Sequence, residues 1–128
     1  MKPLSMLLVD DSLLTIKKLR KMLESLGHQI AGTANTGEQA IQEYKRLHPD
    51  LVTMDITMPD MDGIEATRRI IEADPEAVII MVTSHGQEQM VMDAIDAGAK
   101  GYVLKPIKQD KLSEYLDSVA DKYVQPKP

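Results

Sequence analysis

LVTMDITMPDMDG, residues 51–63, decides how this chain is read. It opens as an apolar run, Leu51-Val52-Thr53-Met54, with the length and β-branched content of a buried strand. The run halts on a carboxylate, Asp55. Pro59 and Gly63 then punctuate a loop before helical periodicity resumes at Ile64. An acid at the end of a buried strand, followed by irregular chain, is where open α/β sheets place their chemistry. Asp55 is therefore expected to be reactive, with the other segments positioning, charging or reading it.

Working outward, the same alternation repeats. Leu4 to Val9 is a short apolar run that stops on Asp10-Asp11-Ser12. Ile16, Leu19, Met22 or Leu23, and Leu26 then fall on one helical face, and Gly27 supplies a stop. Gln29 to Thr33 reads as an edge strand. Thr36-Gly37 opens a second helix with Ala40, Ile41, Tyr44 and Leu47 inward, closed by His48-Pro49. Beyond the central stretch, a third helix runs from about Ile64 to Ala73 with Ile64, Thr67, Ile70 and Ile71 on its inner side. Ala77 to Val82 is apolar throughout, as suits a central parallel strand covered on both faces, and it ends on Thr83-Ser84. The pattern predicts a fourth helix over about His85 to Ala97, stopped by Gly98. A fifth strand follows over Gly101 to Leu104, ending on Lys105-Pro106. Leu112, Leu116, Val119 and Tyr123 recur at helical intervals, and the tail Gln125–Pro128 reads as frayed.

Five strands alternating with five helices through short crossovers require a doubly wound parallel sheet with helices on both faces. No repeat, linker or low-complexity segment breaks the pattern, so residues 1–128 read as one α/β domain. Composition narrows the function. The net charge of −5 argues against direct nucleic-acid or anionic-membrane binding through general electrostatics. With no cysteine, disulfides, thiol catalysis and thiolate metal sites are excluded. No apolar run approaches the length of about 18 residues that a membrane span needs, and no signal-peptide core is present, so the cytoplasm is the expected location. Four Tyr, no Phe and no Trp leave an aliphatic core, with nine Met as adaptable filler.

In a parallel sheet all the C-terminal strand ends meet at one edge. Here they bring Asp10-Asp11, Asp55, Thr83 and Lys105, while the second strand, ending in Ala34-Asn35, brings nothing comparable. Singly, each has a plain reading. Asp11 or Ser12 would cap a helix, Asp55 would make an Asx-turn, Thr83 would cap the fourth helix, and Lys105 would be a solvated lysine. Jointly they form complementary chemistry. Three clustered carboxylates repel one another unless a cation intervenes, and an oxygen-only donor set points to a hard ion, Mg²⁺. Lys105 would then meet an anionic ligand as a point charge, and Thr83 would give it a hydroxyl. Carboxylates, Mg²⁺, lysine and hydroxyl make a phosphoryl-transfer site, with Asp55 as nucleophile.

This ordered set resembles the receiver domains of response regulators, of the CheY type. The resemblance rests on Asp10-Asp11, Asp55, the Met-Pro-x-x-x-Gly loop from Met58 to Gly63, Thr83, Tyr102 and Lys105-Pro106. It spans about Leu4 to Tyr123. It implies the flavodoxin-like strand order 2-1-3-4-5 known from flavodoxin and CheY. It also implies that Asp11, Asp55 and the backbone carbonyl of Thr57 ligate Mg²⁺, that Asp10 holds the ion through water, and that Lys105 contacts the phosphoryl group. The peptide bond to Pro106 is expected to be cis. Thr83 would swing toward the phosphate and Tyr102 would move inward, repacking the face of the fourth helix, fifth strand and fifth helix.

The function implied is a phosphorylation switch. A histidine kinase or phosphotransfer protein would donate to Asp55, and the altered face would bind a protein target. Chemotaxis, with a flagellar-motor switch as target, is the commonest such role, and a phosphorelay intermediate is the nearest rival. With no output domain after Tyr123, the effector is expected to be another protein. The chain is expected to be a monomer that catalyses only its own phosphorylation and dephosphorylation. A phosphatase of the haloacid-dehalogenase type would need a second Asp two residues after Asp55, where Thr57 stands. An FMN carrier would set Asp10-Asp11 against the flavin phosphate. Thr57 and His85 occupy positions that affect phosphate lifetime in the family, although His85 alone reads as a plain loop histidine. Lys17, Lys18, Arg20 and Lys21 read as a solvated basic face of the first helix, near where the family docks phosphodonors. Of Met90 and Met92, one is expected in the core and the other on the switch face.

Overall fold

The computed structural model describes residues 3–124, so the tail expected to fray, 125–128, lies outside the described residues. In chain order the elements are β1 (Ser5–Val9), α1 (Leu13–Ser25), β2 (Gln29–Ala34), α2 (Gly37–Leu47), β3 (Leu51–Met54), α3 (Gly63–Ala73), β4 (Ile79–Thr83), α4 (Glu88–Ala97), β5 (Gly101–Leu104) and α5 (Gln109–Tyr123). Every strand pairing is parallel, in the order β2-β1-β3-β4-β5. This is the doubly wound, flavodoxin-like α/β sheet that the alternating pattern and the resemblance predict.

Strand parity sorts the core into two layers. Leu7, Val9, Val52, Met54, Ile79 and Met81 face a cluster with Ala40, Ile41 and Tyr44 of α2, Ile64, Ala66 and Ile70 of α3, and Ala94 and Ala97 of α4. Met6, Leu8, Leu51, Ile80 and Val82 face the other way, against Ile16, Leu19 and Leu23 of α1 and Leu112, Leu116 and Val119 of α5. β3 and β4 are buried at every position, because helices cover both of their faces. Full burial of each such aliphatic side chain contributes about 1.5–3 kcal/mol. The β1–β3 register, with Val9 opposite Met54, is what sets Asp10 beside Asp55 at the C-terminal edge.

Helix starts follow capping chemistry. Ser12, Thr36 and Asp62 accept from the amides of Thr15, Gln39 and Glu65 respectively, each satisfying an otherwise orphaned donor. The fourth helix departs from the sequence expectation. It begins at Glu88 rather than His85, because residues 85–87 form a loop held by bonds of its own. β4 likewise begins at Ile79 rather than Ala77, although Ala77 and Val78 are buried.

At the opposite edge of the sheet, His28 is buried, with Nδ1 accepting from the Leu4 amide at 3.0 Å and Nε2 left without a partner among the described residues. Burial holds its imidazole below the ordinary value, and the charge of Asp117 acts in the other direction. Protonation would set an N–H against the Leu4 N–H. The unfolded chain therefore takes up this proton first, at its ordinary pKa of about 6.5, and stability is lost as pH falls below that value. The urea midpoint of the wild type is expected to fall between pH 7.5 and pH 5.5. In His28→Asn the fall over that window should be shallower, and an equal fall in both would assign the effect to other groups.

Candidate functional site

Asp10 and Asp11 follow β1, Asp55 follows β3, and one carboxylate oxygen from each lies within 4.8 Å of the others. Asp10 and Asp55 are buried, whereas Asp11 is exposed at the rim. Local backbone bonds fix the two buried groups. Asp10 Oδ1 accepts from the Ser12 amide at 2.9 Å, and Asp55 Oδ1 accepts from the Ile56 amide at 2.9 Å. The Asp55 amide donates to Val9 O, extending the β1–β3 ladder by one step into the site.

Lys105 reaches the same cluster from the end of β5. Its Nζ lies 2.9 Å from Asp10 Oδ2 and 3.9 Å from Asp55 Oδ1. The Lys105–Pro106 peptide bond is cis, as expected. Burial first, and then the charge of Asp10, push the Asp55 carboxyl above its ordinary value, while Lys105 and the Ile56 amide hold it down. One ammonium thus faces two carboxylates, Asp10 and Asp55, of a cluster of three. The donor set fits a hard divalent ion: oxygen ligands only, close together, with negative charge in excess of the local cation.

The loop after β3 is anchored at several points. Gly63 N donates to Ile56 O at 2.7 Å, closing the loop back onto the residue next to Asp55. A Cβ on Gly63 would run into the carbonyl of Asp55 and into Met54 Cγ. Asp60 caps α2 from this loop, accepting from the amides of Gly37 and Glu38 at 2.8 and 2.9 Å, and these bonds hold its carboxyl below the ordinary range. Sequence reading missed Asp60, since nothing in the local pattern couples it to a helix 22 residues away. Asp62 left a legible signal in Asp-x-x-Glu ahead of an apolar run.

Thr83 is fully buried at the end of β4, and its Oγ1 accepts from the His85 amide at 3.2 Å. Tyr102 is half-buried, its phenol donating to the His85 carbonyl at 2.5 Å while its own amide donates to Tyr115 Oη at 2.9 Å. Thr57 is exposed, and its Oγ1 is joined to His85 Nε2 by a hydrogen bond of 2.8 Å. The structure therefore brings Asp10, Asp11, Asp55 and Lys105 into one cluster, and links Thr57, Thr83 and Tyr102 through His85. His85 is not the plain loop histidine that its sequence context suggests.

Met90 packs against the core and Met92 is exposed on α4, as the pattern predicts. Lys17, Lys18 and Lys21 are exposed along α1, and Arg20 lies 4.0 Å from Glu24 in a solvated pair. Among the described residues no helix is long and apolar enough to cross a membrane.

Comparison with known proteins agrees with this geometry. Residues 6–117 match the family described as response regulator receiver domain. The chemotaxis protein CheY of Thermotoga maritima is 43% identical over 114 residues, covering 89% of this chain and 95% of that protein. CheY of Bacillus subtilis is 44% identical over 111 residues, covering 87% of this chain and 92% of that one. A chain in the crystal structure of the CheX–CheY–BeF3–Mg²⁺ complex from Borrelia burgdorferi superposes with a TM-score of 0.87 at 41% identity, over 96% of this chain and 91% of that chain. With an acidic cluster, an apposed lysine and a hydroxyl–aromatic pair on a sheet of this topology, the chain belongs to the response regulator receiver domain family, the phosphorylation-activated switches of two-component signalling.

Proposed function

We propose that Asp55 accepts a phosphoryl group from a phosphohistidine donor, and that the resulting charge controls binding of a protein target through Thr83 and Tyr102. The observation that carries this reading is the convergence of three carboxylates and Lys105 Nζ at one sheet edge. In the transfer, the donor's P–N bond breaks, a P–O bond to Asp55 forms, and the imidazole leaves with its own proton. The chain catalyses only its own phosphorylation and dephosphorylation. Residues 1–128 work as one receiver unit.

Asp10, Asp11, Asp55 and the backbone carbonyl of Thr57 would hold Mg²⁺, which when bound neutralises charge on the transferring phosphoryl group. Both Asp10 oxygens already have partners, Ser12 N and Lys105 Nζ, which supports contact through water rather than direct ligation. Lys105 is placed to pass from its carboxylate partner to a phosphoryl oxygen. Thr83 would exchange the His85 amide for a phosphoryl oxygen, freeing the loop to which Tyr102 is tied. Lys105→Ala is therefore expected to keep most of the Mg²⁺-induced rise in Tm while losing phosphorylation-dependent target binding. Equal loss of both would show that its role is ion binding.

The relatives named as chemotaxis proteins support a role in chemotaxis; the target in this reading is a flagellar-motor switch protein, and the location is the cytoplasm. A pull-down with phosphorylated and unphosphorylated protein tests this. Retention of a motor-switch protein only after phosphorylation is the expected result. Retention of a histidine phosphotransfer protein without phosphorylation would favour a relay intermediate.

A further inference from the structure

We infer that His85 is the positioning residue that sets the posture of Tyr102, acting as a tether between the mouth of the phosphoacceptor site and the aromatic side chain of the output face. The inference rests on the reading of Asp55 as phosphoacceptor and extends it to a residue outside the acidic cluster. Three separate hydrogen bonds meet on this one residue. Its ring Nε2 bonds Thr57 Oγ1 on the loop after β3, its amide donates to Thr83 Oγ1 at the end of β4, and its carbonyl accepts from the Tyr102 phenol on β5.

The consequences follow from how little else holds this loop. Residues 84–87 lie between β4 and α4, Ser84, Gly86 and Gln87 are exposed, and α4 starts without a side-chain cap. Gly86 adds backbone freedom immediately after His85. A carbonyl on so weakly anchored a segment offers the Tyr102 phenol a fixed acceptor only if something else fixes the peptide. The Thr83 hydroxyl holds the amide side, and the ring bond to Thr57 holds the side-chain end. Since Thr57 is two residues after Asp55, any shift of the loop bearing Asp55 reaches the Tyr102 acceptor through the imidazole. Tyr102 is thus read by two inputs rather than by Thr83 alone.

The test uses the full chain labelled with 3-fluorotyrosine. Its four tyrosines give separable ¹⁹F signals, and Tyr102→Phe identifies the one of interest. Thr57→Val removes only the hydroxyl and leaves the imidazole in place. It is expected to move the Tyr102 signal toward that of free fluorotyrosine, with those of Tyr44 and Tyr123 unmoved; Tyr115, whose hydroxyl accepts from the Tyr102 amide, is not used as a control. His85→Ala should do the same, the double variant should move it no further than either single, and His85→Gln, which still reaches Thr57, should restore most of the wild-type position. A Tyr102 signal unchanged in Thr57→Val, or shifts that add in the double variant, would overturn the tether. Loss of folding alone would move all four signals together, and that result also counts against a specific tether. These spectra need no phosphorylation. Failure of the wild type to label on Asp55 would therefore strike the phosphoacceptor reading separately from the tether.

Discussion

Asp55→Asn is expected to take up no phosphoryl group from acetyl phosphate and Mg²⁺, under conditions in which the wild type gains one by intact mass. The substitution keeps the shape of the side chain and replaces the nucleophilic oxygen with an amide. Of the other carboxylates in the cluster, Asp11 is exposed, and Asp10, although buried and nearer Lys105, has partners on both of its oxygens. Residual label in the variant would move the acceptor to Asp10 or Asp11. The same variant has a second expected result. Burial and Asp10 raise the folded pKa of Asp55, so the ionised carboxylate costs stability once pH rises above its unfolded value of about 3.9. In metal-free buffer at pH 7, Asp55→Asn should therefore melt above the wild type by differential scanning calorimetry. Adding Mg²⁺ should raise the wild type more than the variant and so narrow or reverse the gap. A variant that melts lower with and without Mg²⁺ would mean that Asp55 contributes mainly as a hydrogen-bonded structural group.

Gly63→Ala should be nearly as damaging to labelling without touching any site side chain. Gly63 lies against the main chain of Asp55, and a methyl group there collides with the Asp55 carbonyl and with the buried Met54. Backbone on a strand end cannot yield as a flexible side chain can. The collision has to push the loop away, breaking the Gly63–Ile56 hydrogen bond and shifting Asp55. Overpacking of this kind costs about 1–3 kcal/mol, which for a chain of 128 residues is a drop of several degrees in Tm. Because phosphoryl transfer depends on positioning, a displacement of about 1 Å costs roughly a hundredfold in rate. Acetyl-phosphate labelling rates and thermal melts check both parts. A Gly63→Ala protein with wild-type labelling and Tm would show that the loop has slack that the close approach does not suggest.

Much of this was legible in the sequence because the signals were local and strong. Period-3.6 runs in α1 and α2, the continuous apolar stretch of β4, and strand ends marked by Asp10, Asp55, Thr83 and Lys105 all gave the sheet its direction and the site its edge. What failed depended on distant partners. The fourth helix starts three residues later than its pattern predicts, because Thr83 and Tyr102 hold His85 outside the helix. The bond between His85 and Thr57 joins residues 28 apart, and no spacing rule exposes it. Asp60 on α2 and Tyr115 on the β5 amide were missed for the same reason.

The central claim, that Asp55 carries the phosphoryl group, is tested most directly by chemical trapping. Borohydride reduces an acyl phosphate to the alcohol, so a phosphorylated aspartate becomes homoserine and can be located by peptide sequencing. After treatment with acetyl phosphate and Mg²⁺, the tryptic peptide from Leu47 to Arg68 is expected to carry homoserine at position 55. Homoserine at position 10, 11, 60 or 62 instead, or none at all in a protein whose mass shows phosphorylation, would contradict the account.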